Sequence, residues 1–241
     1  MTRNSLASFD QIASAWRETA ENTARALTPA ELAIFPNLLH DSTEVRAALS
    51  QAYPENELSA SLLAADVFGL DRHLFELHHH TFAGLYESAG RTLRCVWERA
   101  FRSHFADRSH FGGAGATPDE KAGWLDAARL NWPKCIVPVL SVLFPLPHDG
   151  SAVDHFKALW DRLNQVVHPS APMRFSEMRE SGRMLWPHFD ADLCRQRLAD
   201  VNEVLALVWL LVLCQFPKVR EKFTDPARVF DSFPLLKTLL T

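Results

Sequence analysis

An all-α protein is the fold class this sequence predicts, and three observations carry the prediction. Only 9 of its 241 residues are glycine, strict two-residue alternation is scarce, and apolar residues recur three and four places apart in most windows. A hydrophobic fraction of 47% is ample for a core, and the length fits one large domain or a domain with a small appendage. The expected architecture is a multi-helix bundle over 55–222, with N-terminal helices over 1–54 packed on it and a helical tail over 223–241.

The first helix is predicted over about 8–26, with Phe9, Ile12, Ala13, Trp16 and Ala20 as its apolar stripe. Thr28 and Glu31 have the spacing of a capping box, in which hydroxyl and carboxylate each accept from an otherwise free backbone N–H. That box opens a short helix ending near His40, and another short helix follows Ser42 and stops before Pro54. The longest helical stretch runs over about 58–105. Leu70, Leu74 and Leu77 form one stripe, continued by Leu85, Ala89, Leu93, Val96, Trp97 and Phe101. Gly69, Gly84 and Gly90 mark kinks or places of close helix packing, because glycine costs about 1 kcal/mol in a helix interior relative to alanine.

Residues 111–116 form the one glycine-rich stretch, which lacks the Lys-Ser or Lys-Thr of a nucleotide-binding loop and reads as a turn. Thr117 and Glu120 repeat the capping-box spacing and open a helix to about Asn131. Pro133 and Pro138 interrupt the apolar run over 132–144, and Pro145, Pro147 and Gly150 mark a loop. The next helix runs over 151–168. A polar linker with Arg174, Arg179 and Arg183 precedes a long helix over about 193–216, capped by Asp190 or Asp192 and extended by 218–222. Phe230, Phe233, Leu236 and Leu239 pack the final short helix back.

The net charge of −4 excludes a generally basic, nucleic-acid-coating protein and confines any RNA contact to one face. Cys95, Cys135, Cys194 and Cys214 are widely spaced in apolar helical contexts, unlike a disulfide framework or a zinc knuckle, and read as buried thiols. The most apolar run, 204–216, falls short of the roughly 20 residues that span a bilayer and reads as a central buried helix. Residues 1–5 lack the apolar core of a secretory signal, so the expected compartment is the cytoplasm, with no membrane partner.

The sequence Leu159-Trp160-Asp161-Arg162-Leu163-Asn164-Gln165-Val166-Val167-His168-Pro169-Ser170 ends an amphipathic helix on a histidine and stops it with a proline. Arg162 is a permanent cation whose planar donors suit a phosphate, and histidine is the side chain that exchanges protons near neutral pH. Metal-free RNA cleavage requires deprotonation of a 2′-hydroxyl, stabilisation of the phosphorane and protonation of the departing 5′-oxygen. His168 is placed to transfer protons, Arg162 to neutralise charge and Asn164 to orient the phosphate. A six-residue spacing sets Arg162 and His168 about 120° apart around an ideal helix.

This stretch resembles the HEPN families, all-helical domains of prokaryotic toxins, phage-defence proteins and CRISPR effectors, whose hallmark is Arg, four to six residues, then His at a helix end. The run Gly84-Leu85-Tyr86-Glu87-Ser88-Ala89-Gly90-Arg91-Thr92-Leu93-Arg94-Cys95-Val96-Trp97-Glu98 is similar to a helix of uncharacterised HEPN-like proteins. The resemblance implies a metal-independent endoribonuclease leaving 2′,3′-cyclic phosphate ends, without a cofactor. It also implies a homodimer joining two helix ends in one cleft, and an antitoxin or defence-system protein as a further partner. Arg91, Arg94 and Ser170 are the substrate-binding candidates. Active members carry Asn, Asp or His after the arginine, where this chain has Leu163, so the alternative is an inactive HEPN-like module that binds RNA, a nucleotide or a protein.

Two further constellations bear on chemistry. His73, Glu76 and His80 share a helix face at metal-ligand spacing, which admits a metal-dependent helical enzyme. The competing reading is an ordinary polar face, since no second helix offers a matching Glu-x-x-His, and no bound metal is expected. The arginines Arg91, Arg94, Arg99, Arg102 and Arg108, with His104 and His110, form either the positive rim of an RNA cleft or an internally paired set. Glu87–Arg91, Arg94–Glu98 and Glu98–Arg102 are each four residues apart, which favours pairing.

Overall fold

The computed structural model describes residues 4–112, 115–128, 136–139, 151–167 and 189–223. Among them there is no strand, and the fold is an all-α multi-helix bundle. Helix α1 spans Asn4–Ala26, α2 Pro29–Leu32, α3 Ile34–Ala52, α4 Glu55–Ser59 and α5 Leu62–Phe68. Helices α6 (Leu70–Phe82) and α7 (Tyr86–Phe105) follow, then a π turn over Ala106–His110, α8 (Pro118–Ala128), α9 (Ser151–Val167), α10 (Ala191–Gln215) and a 3-10 turn over Pro217–Lys222.

Helix α10 is the axis. From Val204 to Leu213 every residue is buried, so this half has no polar stripe and must be enclosed on all sides. Helix α7 packs along it, with α6 and α9 against other faces of α7. The buried residues of α7, Ala89, Leu93, Val96, Trp97, Ala100 and Phe101, recur at helical spacing. Trp97 and Phe101 are fully enclosed, and burying such a side chain is worth roughly 1.5–3 kcal/mol. One continuous core joins Phe35, Leu38 and Leu49 of α3 to Leu74, Trp97, Phe156 and Trp209, so it crosses the expected 54/55 boundary.

Local signals act largely as expected. Both capping boxes form: Thr28 Oγ1 accepts from Glu31 N at 3.2 Å while Glu31 Oε2 accepts from Thr28 N at 2.7 Å, and Thr117 with Glu120 repeats the exchange. Asp190 caps α10, accepting from the N–H groups of Asp192 and Leu193 at 3.0 and 2.9 Å.

Other expectations are corrected. Ser42 does not open a new helix but lies buried inside α3, where its hydroxyl donates to Asp71 Oδ1 at 2.9 Å. The stretch 58–105 is not one kinked helix but takes in the end of α4 and the whole of α5, α6 and α7. Gly69 closes α5, and Gly84 stops α6 at a φ of 72°, with Leu85 N donating to His80 O and Gly84 N to Thr81 O. Trp16 and Ala20 are exposed, and α1 instead buries Thr19 and Thr23. Helix α10 has 25 residues and is long and apolar enough to cross a membrane, contrary to the shorter run expected. In its most apolar window 78% is buried inside the bundle. Cys95 is exposed, on the stripe of α7 that carries Glu87, Arg91 and Glu98. Cys194 is buried, which pushes its thiol up to about 11. Residues 168–188, with Arg174, Arg179 and Arg183, the tail over 224–241 and Cys135 lie outside the described residues.

The π turn carries Asp107 inward onto the N-terminus of α5. There its carboxylate accepts from Ser61 Oγ at 2.7 Å, Leu62 N at 3.2 Å, Leu63 N at 3.1 Å, Gln215 Nε2 at 2.8 Å and Lys121 Nζ at 2.9 Å. Burial alone would raise its pKa, but these donors hold it below the usual carboxylate range. Beside it, His104 Nδ1 lies 2.9 Å from Gln215 Oε1, and burial, with Arg108 adding to it, lowers the imidazole to about 4.

A histidine near 4 when folded and about 6.5 when unfolded takes up its proton only in the unfolded chain between those values, so stability falls as pH drops through that window. The loss is of the order of 3 kcal/mol. Urea unfolding between pH 7 and pH 4 should show this slope, and His104→Leu should flatten it while lowering stability at pH 7. An unchanged slope in the variant would assign the pH dependence elsewhere.

Candidate functional site

Helix α9 lays Phe156, Leu159, Trp160 and Leu163 against the core, a stripe at i, i+3, i+4 and i+7. Leu163, next to Arg162 in sequence, is therefore a core residue. Trp160 meets Trp97 edge to face at 5.0 Å between centroids. Arg162 leaves the edge of this stripe and crosses to α10. Its Nε and Nη2 donate to Asp200 Oδ1 at 2.9 and 2.6 Å, and Nη2 lies 3.5 Å from Glu203 Oε2. Asp200 is completely buried and also accepts from Arg197 Nη1, so one carboxylate sits between two guanidinium groups. Burial lowers the pKa of Arg197, opposed by the Asp200 charge.

Glu203 has a second neighbour. His155 Nε2 lies 3.4 Å from Glu203 Oε2, the same oxygen that faces Arg162. His155 and Arg162 are seven residues apart, about 20° around an ideal helix, and thus share one face of α9. The side chains of His155, Arg162 and Glu203 are 44%, 33% and 32% exposed. The outcome is a charge-compensated pair of arginines below and a solvent-reached His–Glu–Arg arrangement above.

The other expected site residues are distributed differently. His168 and Ser170 lie outside the described residues. Asn164 is half-buried and about 160° around α9 from Arg162, so it does not share that face. Arg94 is corrected as a substrate-binding residue: it is 7% exposed, its guanidinium carbon stands 3.1 Å over the centre of Trp160, and it pairs with Glu98. Arg91 is exposed and pairs with Glu87. Arg99 pairs with Asp66 at 2.7 Å, Arg102 donates to Leu125 O at 2.8 Å, and Arg108 to Cys214 O at 3.3 Å. His104 is buried, and His110 stacks on Trp124 at 3.7 Å. The arginine set is thus paired inside the fold rather than arrayed as a positive rim.

The polar face of α6 borders a cleft of about 390 Å³ between α5, α6 and α7, with Asp66, Arg72, His73, Glu76 and Arg99 over an apolar floor. His73 Nδ1 is 3.4 Å from Glu76 Oε2 and Arg72 Nε 3.2 Å from Oε1, so Glu76 is engaged on both oxygens. Among the described residues no group of three or more His, Cys, Asp or Glu side chains is arranged to hold a metal ion.

Sequence reasoning found Arg162 but not its partners. Asp200 and Glu203 look like polar punctuation in an apolar helix. A signal for His155 was available in its seven-residue spacing from Arg162.

Removing a buried charge that holds two others is expensive, because each partner is left uncompensated. Asp200→Ala should destabilise the protein by about 3–5 kcal/mol in urea unfolding, and a combined Arg197→Met, Asp200→Leu change should recover part of that loss. A loss below about 1 kcal/mol in the single variant would mean that the cluster does not hold α9 to α10.

Compared with protein-family models, with curated proteins and with solved structures, the chain matches none of them.

Proposed function

We propose that this chain is a metal-independent endoribonuclease of toxin or phage-defence type on a HEPN-like helical scaffold, with Arg162 as its phosphate-neutralising cation. The observation that supports this reading is the grip of Asp200 on Arg162. Bonding through Nε and Nη2 to a buried carboxylate fixes the guanidinium plane, yet the side chain stays one-third exposed. A donor fixed before substrate arrives loses little freedom when charge develops on the phosphorane. His168, the next residue in sequence after α9, is the proton-transfer residue of this reading. On an ideal helix continued to His168 the two side chains would diverge by about 120°, so two α9 ends would meet about a two-fold axis in a homodimer.

One observation favours the runner-up, a HEPN-like module that binds RNA or a protein without cleaving it. Asp200 and Glu203 both compensate Arg162, so a phosphate must compete with two carboxylates.

Incubation of the purified protein with single-stranded RNA in EDTA separates the two. The nuclease reading expects fragments with 2′,3′-cyclic phosphate ends and a rate fall of about 100- to 1,000-fold in Arg162→Ala. Retention of intact RNA by wild-type protein, with no fragments over a range of sequences, would establish the binding module instead. Light scattering at micromolar concentration should give twice the chain mass, and a monomer would exclude the two-copy site.

A further inference from the structure

We propose that His155 and Glu203 are catalytic residues of the Arg162 site, Glu203 as general base and His155 as general acid, so that one chain holds a complete metal-free transesterification centre. This rests on the ribonuclease reading above and replaces the proton-transfer role that reading gives to His168. Two observations carry it: all three side chains reach solvent, and His155 Nε2 and Arg162 Nη2 both face the same oxygen of Glu203, Oε2.

The reaction requires a base at the attacking 2′-oxygen, an acid at the departing 5′-oxygen opposite it, and a cation at the phosphoryl oxygens between them. Glu203 Oε2 faces His155 Nε2 at 3.4 Å and Arg162 Nη2 at 3.5 Å, while Oε1 is engaged by no described residue. Oε1 takes the proton of the 2′-hydroxyl as the O2′–P bond forms. The imidazolium of His155 gives its proton to the 5′-oxygen as the P–O5′ bond breaks. The products are a 2′,3′-cyclic phosphate and a free 5′-hydroxyl, one proton having been gained by Glu203 and one lost by His155, with no oxidant, metal or water consumed.

The charge arrangement serves the same step. In the resting site Arg162 is shared between Asp200 and Glu203, and Arg197 balances Asp200 from below. When Glu203 becomes protonated, one of the two carboxylates on Arg162 is neutralised at the moment the phosphorane gathers charge. The cation is therefore released to the substrate during the reaction rather than before it. His155 and Arg162 share one face of α9 and Glu203 meets both from α10, which puts the three groups within reach of a single phosphate.

The test uses one single-stranded RNA and the same RNA with sulfur replacing the bridging 5′-oxygen at the cleaved linkage. A thiolate leaves without being protonated, so the sulfur substrate no longer needs the general acid. On ordinary RNA, His155→Gln and Glu203→Gln should each slow cleavage by about 100-fold or more. On the sulfur-bridged RNA, His155→Gln should recover to within about 10-fold of wild type while Glu203→Gln should not. His155→Asn provides a second variant, and thermal unfolding should show all of them folded, since both positions are solvent-reached. Wild-type rates in both glutamine variants would overturn this assignment and leave the ribonuclease reading standing, as would a His155→Gln deficit unchanged by sulfur. A wild-type protein inert on both RNAs would overturn this assignment and the ribonuclease reading together.

Discussion

A helix that is apolar on every side can persist in water only when other helices enclose it, and the stretch Val204 to Leu213 of α10 imposes that condition on the whole molecule. Helices α6 and α7 and the 3-10 turn over Pro217–Lys222 pack on α10, and α9 packs against α7, burying Phe156, Leu159, Trp160 and Leu163. The positions of the polar residues follow. Groups at either end of the apolar stretch are bonded from other elements, Asp200 before it by Arg162 of α9 and Gln215 after it by His104 of α7 and Asp107 of the π turn.

Two buried carboxylates therefore organise the two ends of the apolar stretch in different ways. Asp107 is held by neutral donors and one lysine, and it fixes the start of α5 against α7 and α8. Asp200 is held by two arginines and fixes α9 to α10. The first arrangement is closed, with Lys121 and Asp107 both nearly inaccessible. The second is open on one side, because Arg162, Glu203 and His155 continue it to the surface. That difference in exposure is why the α9–α10 junction, rather than the Asp107 network, is the candidate site. A buried and fully bonded network has no donor or acceptor to offer a substrate.

The basic side chains show how pairing empties an apparent nucleic-acid face. Arg91, Arg94, Arg99, Arg102 and Arg108 are close in sequence, yet each finds a carboxylate or a backbone carbonyl within the fold. Arg94 goes furthest, lying flat on Trp160 so that a charge contributes to packing. Those five cations are committed by these contacts, and Arg162 is likewise paired, with Asp200 and Glu203.

Much of this was determined by sequence alone, because it depends on local spacing. The helical class, the Thr28–Glu31 and Thr117–Glu120 caps, the Asp190 cap and the apolar faces of α6 and α9 are contacts within about four residues, and periodicity and capping chemistry encode them directly. Cys95 reads as a buried thiol in the sequence and is exposed, on the stripe of α7 that carries Glu87, Arg91 and Glu98. Arg162 was legible as a cation at a helix end. What only the tertiary structure decided are the partners that arrive from far along the chain. The 38 residues between Arg162 and Asp200, the 41 between Arg162 and Glu203, and the 108 between Asp107 and Gln215 carry no periodic signal. Whether Gly69 and Gly84 bend a helix or end it was likewise settled by packing, since the cost of glycine in a helix is small beside the burial gained when α5, α6 and α7 turn back on one another.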